Sequence, residues 1–499
     1  MARSTTDSCC LTLPLRLEKW QEDRLEKRLE IARQIYNTLL RQKLKKLRYY
    51  QSLPENVQRK DKKKLLKALG LSEYGFKEDV KNYYKYFKDN IGSAVAVHGI
   101  AAQVWTAFDK VLNGNGKVPH FKKKGDMWSV RGSVNTAKEK DGSYKSGGLE
   151  IRYADGIVEW KGLRMQVKMD SQNAYETQML SNRVKYCRLL KKVGKNKNRY
   201  YVQLTLECKP VIKRDPLTGE ARHRVGSGRV GLDLGPQTLA YVSDTESGLV
   251  LLASRVQSIE REKLLIERKM ERSRRATNPD CYAPNGTVIH GKKATNKSHR
   301  YERLQRKLTY LRAHLVEMRK LAHNELANHL LSLGDEFIVE KKPVSLWAKR
   351  AVKTEIFEKS CFKRKKRFGK SIANRAPATL ITMLSTKLQA RGLLPVVSVP
   401  TSLGASRFNL ITQTYEKKEL SQRWNNMPDG KAIQRDLYSA FLLQHVTLPF
   451  VENSCPFDME ALNQDYPRFC AQHDIALTRL RESGKTVFSM GCGANLQLT

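Results

Sequence analysis

The sequence contains no apolar run of the roughly 18 residues that a membrane-spanning helix needs, and no signal-peptide pattern. A membrane or secreted role is therefore not expected, and the reading places the protein in the cytoplasm. Cysteine is sparse and unpatterned: nine residues, an odd number, with only Cys9 and Cys10 as close neighbours. That argues against a disulfide framework and for reduced thiols. Acidic residues are in short supply, 50 against 92 Lys and Arg. No internal repeat is visible, which excludes solenoid architectures.

The resulting net charge of +42 exceeds what solubility requires and makes the isolated chain repel itself. A polyanionic partner relieves that repulsion, and the basic residues are spread along the whole chain instead of forming a tail. At 499 residues there is room for roughly three domains, at ~100–200 residues each.

The segment from Leu17 places Leu25, Leu29, Ala32, Tyr36 and Leu39 at steps of three or four, with Lys and Arg between them. This predicts an amphipathic helix with a basic outer side. A second helical region runs from about Asp61 to Leu112 and includes YGFKEDVKNYYKYFKDN, where aromatics and lysines interleave. That mixture suits either an ordinary core with solvated charge or a surface that stacks bases. From Gly116 to about Arg224 the pattern turns to strands. Val202, Leu204 and Leu206 alternate with polar residues after a GKNKN turn, the signature of a hairpin. Beyond Val225 strands alternate with helices. RVGLDLGPQTLAYVSD reads as two strands, about Ser258 to Leu333 as a long basic helix broken by NPDCYAPNGTVIHGKK, and DEFIVEKK as a buried strand. APATLITMLSTKLQARG reads as a helix closed by Gly392, and LLPVVSV as a further strand.

Three carboxylates sit where a carboxylate is costly: Asp233 inside VGLDLG, Glu340 at the end of FIVE, and Asp436 before LYSAFLL. Burying a lone carboxylate costs several kcal/mol unless a cation compensates it. Each has an ordinary explanation of its own. Asp233 can start a turn, Glu340 can pair with Lys341 or Lys342, and Asp436 can cap a helix. In this order, in a mixed α/β region of a strongly basic chain, the three together point to a metal-dependent nuclease of RNase H-like class. Two Mg²⁺ ions ~3.5–4 Å apart would serve a phosphodiester there.

The motifs resemble those of the TnpB family of transposon-encoded, RNA-guided DNA endonucleases and the related compact type V CRISPR effectors. GLDLGPQTLAYVSD is similar to the first RuvC motif, FIVEKKPVS to the second and IQRDLYSAFL to the third. RFGKSIANRAPATLITMLSTKLQARG resembles the segment leading to the strand before the family's zinc ribbon. TLPLRL, IYN at Ile35 to Asn37, and VPHFKKK resemble the family's opening half. The resemblance implies a mixed α/β multidomain protein: an RNase H-like (RuvC) nuclease domain, a helical recognition domain and a small β-barrel wedge domain. The implied segments are 1–15 for the first wedge strand, 16–112 for the recognition domain and 113–225 for the wedge β domain. They continue with 226–400 for the nuclease domain with a long helical insertion, 401–430 for a zinc-ribbon-like loop, and 431–499 for the third motif and a C-terminal tail. It further implies guide RNA and target double-stranded DNA as partners, and Asp233, Glu340 and Asp436 as catalytic ligands of two Mg²⁺ ions. In such proteins base pairing reads most of the sequence while the protein reads shape and a short flanking motif.

The basic residues expected to touch nucleic acid are Lys122, Lys123, Lys124, Lys195, Lys197, Arg199, Arg367, Lys370, Arg375, Arg423 and Arg435. One departure from the family stands out. Asn409, Thr412, Asn426 and Asp429 occupy the spacing of the ribbon's four cysteines, so no structural zinc is expected. Cys455, Cys470 and Cys492 with His473 are too irregularly spaced to replace it. Two other functions fit less of the pattern: an RNA-guided DNA-binding protein that does not cut, and an RNase H-like transposase that acts without RNA.

Overall fold

The computed structural model describes residues 6–114, 116–342, 344–347, 368–416, 419, 422–449, 455–484 and 490–492. They form two compact units, Met1–Val211 and Ile212–Thr499.

In the first unit the amphipathic segment is one helix, Lys19–Ser52, and Leu25, Leu29, Ala32, Tyr36 and Leu39 are all buried, as their period requires. The second helical region is broken into Glu55–Lys60, Lys62–Ala68, Glu73–Tyr84, Lys88–Ile91 and Ala94–Leu112. Two of its four breaks fall at Gly70 (φ +68°) and Gly92 (φ +104°), conformations that disfavour a side chain. Ser72 and Ser93 then restart the helix by accepting bonds from Gly75 N and Val95 N. Seven antiparallel strands follow in the order β2-β6-β7-β1-β5-β4-β3. They are β1 Cys9–Arg16, β2 Ser129–Arg131, β3 Ile151–Ala154, β4 Ile157–Trp160, β5 Leu163–Val167, β6 Val184–Val193 and β7 Asn198–Leu206. A bridge between Ser133 and Leu149 links the extensions of the two outer strands, so the sheet nearly closes. Helices and sheet share one core: Leu39, Phe76 and Phe108 belong to the same apolar cluster as Trp160, Val202 and Leu204.

A buried ammonium fastens the helices of this core. Lys43 is fully buried, and its Nζ donates to Gly70 O (2.7 Å), Gly75 O (3.0 Å) and Asp79 Oδ2 (2.8 Å) over the face of Phe76. All of its donors are satisfied, which is the condition under which a charge can be buried. Gly75 is required beside it, because a Cβ there would lie 2.5 Å from Gly70 O.

The second unit is built on a five-stranded sheet, β10-β9-β8-β11-β12, whose strands are β8 Arg229–Leu234, β9 Thr238–Val242, β10 Ser247–Leu251, β11 Glu336–Glu340 and β12 Val397–Val399. The first three form an antiparallel meander; β11 runs parallel to β8, and β12 parallel to β11. Helices cover both faces, which is why the strands read as continuous apolar runs. Val230, Leu232, Phe337 and Val339 pack against Ala327, Leu330 and Leu331 of helix His299–Leu333 and against Leu380, Leu384 and Leu388 of helix Pro377–Gln389. On the opposite face Ala240, Val242 and Ile338 meet helices Arg435–Gln444 and Met459–Glu482. The latter helix lies within the expected C-terminal tail. The long basic stretch is two helices, Gln257–Thr277 and His299–Leu333, joined through Ile259, Ile266, Leu308, Leu311 and Leu315. Among the described residues no helix is long and apolar enough to cross a membrane.

Asp79→Ala is expected to destabilise the chain by about 2 kcal/mol, below the ~3–5 kcal/mol of a fully buried pair because Asp79 is 24% exposed. Lys43 and Lys46 hold the Asp79 carboxyl below its ordinary pKa against the opposing effect of burial. Its contribution is therefore present above the usual carboxylate range and lost as the pH falls through the depressed folded value. Denaturant unfolding at neutral and at acid pH checks both: the gap between wild type and variant should narrow in acid.

Candidate acidic site and nucleic-acid interface

Strand register brings the first two carboxylates together. Val339 of β11 pairs with Leu232 of β8, so the next positions, Glu340 and Asp233, stand side by side. Alternation along the strands turns both toward the face covered by helix Arg435–Gln444, since Val230, Leu232 and Val339 point to the other core. That helix can lie directly on the strand because position 231 is glycine; a Cβ there would meet Ala440 O at 2.0 Å and Gln444 N at 2.5 Å. The first glycine of GLDLG thus sets how closely Asp436, in the first turn of the helix, approaches Asp233. Gln434 caps the helix by accepting from Leu437 N (2.8 Å), and the helix N-terminus favours the negative charge of Asp436.

The side chains of Asp233, Glu340 and Asp436 are 9%, 14% and 16% exposed. Burial pushes the Glu340 carboxyl above its ordinary pKa, with the neighbouring Asp233 charge adding to the effect and Lys342 opposing it. Burial, and then Asp233, likewise raise Asp436, opposed by Arg435 and Arg423. Asp233 is the carboxylate that both others feel. Among the described residues the cations in contact are Lys342, whose Nζ donates to Asp233 Oδ1 and lies 3.1 Å from Glu340 Oε2, and Arg435, whose Nη2 lies 3.4 Å from Asp436 Oδ1. Both carboxylates hold the Lys342 ammonium above its usual pKa against desolvation. Among the described residues no three His, Cys, Asp or Glu side chains stand close enough to hold one ion together. Lys342 sits at the Asp233–Glu340 pair. The ion pair expected as an ordinary explanation for Glu340 is therefore present, and it includes Asp233. Asp436 does not cap its helix; Gln434 does.

Sequence reasoning missed the groups that place Asp436. His473, from helix Met459–Glu482, is buried, and its Nε2 accepts from Gln434 N (3.0 Å) while its Nδ1 faces Asp474 Oδ1 (2.9 Å). Burial lowers the His473 pKa, which keeps Nε2 free to accept. Gln434 also donates to Met490 O (3.2 Å). The apolar period of Leu462, Phe469, Ala476 and Leu480 was the available signal for that helix, masked by Pro467 in its interior.

The basic residues separate into kinds. Lys123, Lys124, Lys195, Lys197, Arg199 and Lys370 are exposed. Lys122 is half-buried, with its ammonium 4.8 Å from the Tyr36 ring. Its backbone is fastened by Asn37, which donates to Lys122 O (2.8 Å) and accepts from Lys122 N (2.9 Å). This ties the IYN and VPHFKKK stretches to each other. Arg375 is buried and donates to Leu252 O (3.0 Å) and Ala253 O (2.7 Å), so it serves the core and is not open to a nucleic acid. Arg423 is half-buried against Gly491, and Arg435 bonds Gln422 O beside Asp436. Arg367 lies outside the described residues.

The four positions with ribbon spacing are in two short hairpins, Phe408–Asn409 with Thr414–Tyr415 and Trp424–Asn426 with Ala432–Gln434. Asn409 Oδ1 accepts from Ile411 N (3.0 Å) and Thr412 N (3.4 Å), and Asp429 accepts from Lys431 N (3.1 Å) and Tyr466 Oη (3.1 Å). Phe408 packs on Tyr415 and Phe457 at ring separations of 5.2 and 4.8 Å. Side-chain turns and an aromatic cluster thus hold the knuckles.

No protein-family model matches the sequence, and no curated protein matches it. Among solved structures the chain is similar to the protein of a Cas12f1–sgRNA–target DNA complex: 11% identity over 87% of this chain and 98% of that one, with a TM-score of 0.40. It is also similar to a CRISPR-Cas12f ternary complex (13% identity, 87% and 83% coverage, TM-score 0.26) and to a Cas12i–crRNA–dsDNA complex (10%, 89% and 61%, 0.25). These are compact type V CRISPR effectors, the group that the three motifs resemble. At such TM-scores the likeness carries no inference about chemistry, which rests on the residues.

The raised pKa of Asp436 has a definite sign for stability. Such a group contributes fully below its unfolded pKa and loses that contribution as the pH rises through the raised folded value. At neutral pH the carboxylate therefore opposes folding. Asp436→Asn is expected to raise the melting temperature of the metal-free chain by about 2–4 °C at pH 7. Scanning calorimetry at pH 7 and at pH 5 checks this, and wild type should gain more from acidification than the variant.

Proposed function

We propose that the chain is an RNA-guided DNA endonuclease that binds a guide RNA, pairs it with a complementary DNA target beside a short flanking motif, and hydrolyses a phosphodiester at Asp233, Glu340 and Asp436. The observation that carries this reading is that Asp233 acts electrostatically on both Glu340 and Asp436, three little-exposed carboxylates, inside a chain of net charge +42. The strand order, third-second-first-fourth-fifth with an antiparallel meander and two parallel additions, supports an RNase H-like assignment of the second unit. Net charge supports long polyanionic partners, and the Cas12f and Cas12i chains to which this one is similar are in complexes with RNA and DNA. In this reading the helical and β parts of the first unit serve as recognition and wedge domains.

The carboxylates fit Mg²⁺. They offer the hard oxygen donors that ion takes, and the pair Asp233 and Glu340 already draws a cation, the Lys342 ammonium. When bound, two Mg²⁺ ions supply Lewis acidity and lower the pKa of water. Asp233, Glu340 and Asp436 would hold them. Asp233 is central because it acts on both other acids. In the hydrolysis a water oxygen bonds to phosphorus, the bond from phosphorus to the leaving sugar oxygen breaks, and that oxygen departs with a proton. Arg435, anchored on Gln422 O, is placed to meet the negative charge of the phosphate beside Asp436. The exposed Lys123, Lys124, Lys195, Lys197, Arg199 and Lys370 hold nucleic-acid backbone.

A second reading has an observation of its own: Lys342 already occupies two of the acids, which suits a guided DNA-binding protein that does not cut. Asp233→Ala separates the two. Purified with the RNA of its own locus, the variant is expected to retain RNA and target binding while losing at least about a thousandfold in Mg²⁺-dependent cleavage rate. Unchanged cleavage would show that the active site lies elsewhere. A wild-type protein that binds RNA and target but never cuts would favour the non-cutting reading, and one that retains no discrete RNA would remove the guide.

A further inference from the structure

We infer that Lys342 is a tethered cation that occupies the Asp233–Glu340 pair in the metal-free chain and that a divalent ion has to displace. The inference rests on the reading of those acids as a metal site and says how that site is loaded.

The placement of Lys342 is set by the backbone. Lys341 N donates to Val399 O (2.8 Å), continuing the strand by one step, and Lys342 N turns back to Glu340 O (2.8 Å). That tight turn leaves the Lys342 side chain on the same side as Glu340, two residues before it, and brings its ammonium onto both carboxylates. The side chain is 27% exposed. Among the described residues Lys342 is the cation in contact with Asp233; Arg435 contacts Asp436 and Gln422 O, and Arg407 acts on Glu340 from farther off.

Charge gives the exchange a direction. Among the described residues Asp233 and Glu340 share one contacting ammonium, that of Lys342, while Arg407 and Arg423 act on Glu340 and Asp436 from farther off. A divalent ion brings two charges to a pair that one ammonium now serves. A compact divalent ion also satisfies carboxylate oxygens from several directions, whereas one ammonium has three donors. Lysine suits this part because its ammonium sits on a flexible four-carbon stem and makes no bidentate fork that would lock it in place. The consequence is competition. The metal-free pocket is kept folded by its own lysine, and the affinity for the ion is reduced by the free energy of removing that lysine.

The test is Mn²⁺ binding to the full chain without nucleic acid, read from the electron paramagnetic resonance of free Mn²⁺ and from the melting temperature. Wild type, Lys342→Met, Lys342→Arg and Asp233→Asn are compared. Lys342→Met is expected to bind Mn²⁺ about tenfold more tightly than wild type. It should melt lower without the ion and show the larger rise with it. Lys342→Arg, which keeps the charge, should bind no tighter than wild type, and Asp233→Asn should lose the tight site. Equal or weaker binding by Lys342→Met, with binding still dependent on Asp233, would overturn the inference and leave the acid site standing. Binding indifferent to Asp233→Asn would overturn both. Should Lys342→Met fail to fold, Lys342→Gln keeps a polar side chain without the charge and is read by the same criteria.

Discussion

Taking a carboxylate out of water is costly unless a cation, hydrogen bonds or a proton compensate it, and the second unit brings three little-exposed carboxylates toward one another. Gly231 lets a helix backbone rest on β8, parallel pairing sets Glu340 beside Asp233, and the first turn of helix Arg435–Gln444 brings Asp436 to the same face. The same helix packs Leu437, Ala440 and Phe441 into the apolar core on that face, so the core seats the helix that carries Asp436. The fold holds the acids close at the expense of its own stability, as the raised pKa values of Glu340 and Asp436 record. Regions that oppose folding in this way belong to functional sites more often than to scaffolds.

The same problem is solved twice in the chain, with opposite outcomes. Lys43 is buried with every donor satisfied by Gly70, Gly75 and Asp79, and nothing remains to be bound. At the acidic site Asp233 and Glu340 share a single contacting ammonium, that of Lys342. A closed ion-pair network serves structure, whereas an open one is available to chemistry. Arg375 belongs with Lys43: its guanidinium is consumed by backbone carbonyls at the end of β10, although its sequence context reads like that of a nucleic-acid contact.

Much of the fold was legible because the period is strong. The first helix, the β6–β7 hairpin, the strands carrying Asp233 and Glu340, and the helix closed by Gly392 all lie where spacing and turn residues put them. The broken helical region was less legible, since the left-handed Gly70 and Gly92 interrupt a run whose composition is helical throughout. Strand Ser247–Leu251 was not identified, being five residues long with a glycine inside it. Helix Met459–Glu482 was hidden by Pro467, and with it His473, the residue that steadies Gln434 and so Asp436. The acids themselves could be found from where a charge interrupts an apolar pattern. Which cation would answer them could not, because Lys341 and Lys342 are equivalent in sequence and only the turn after β11 separates them.

The central claim is that the Asp233–Glu340 pair, with Asp436 beside Asp233, is a site for divalent cations. Anomalous diffraction from crystals of the full chain soaked in Mn²⁺ tests it most directly. The account predicts a manganese peak bonded to Asp233 and to at least one of the other two carboxylates, with the Lys342 ammonium moved away from both Asp233 and Glu340. A structure in which Lys342 stays on both carboxylates, with no manganese beside them at saturating concentration, would contradict it.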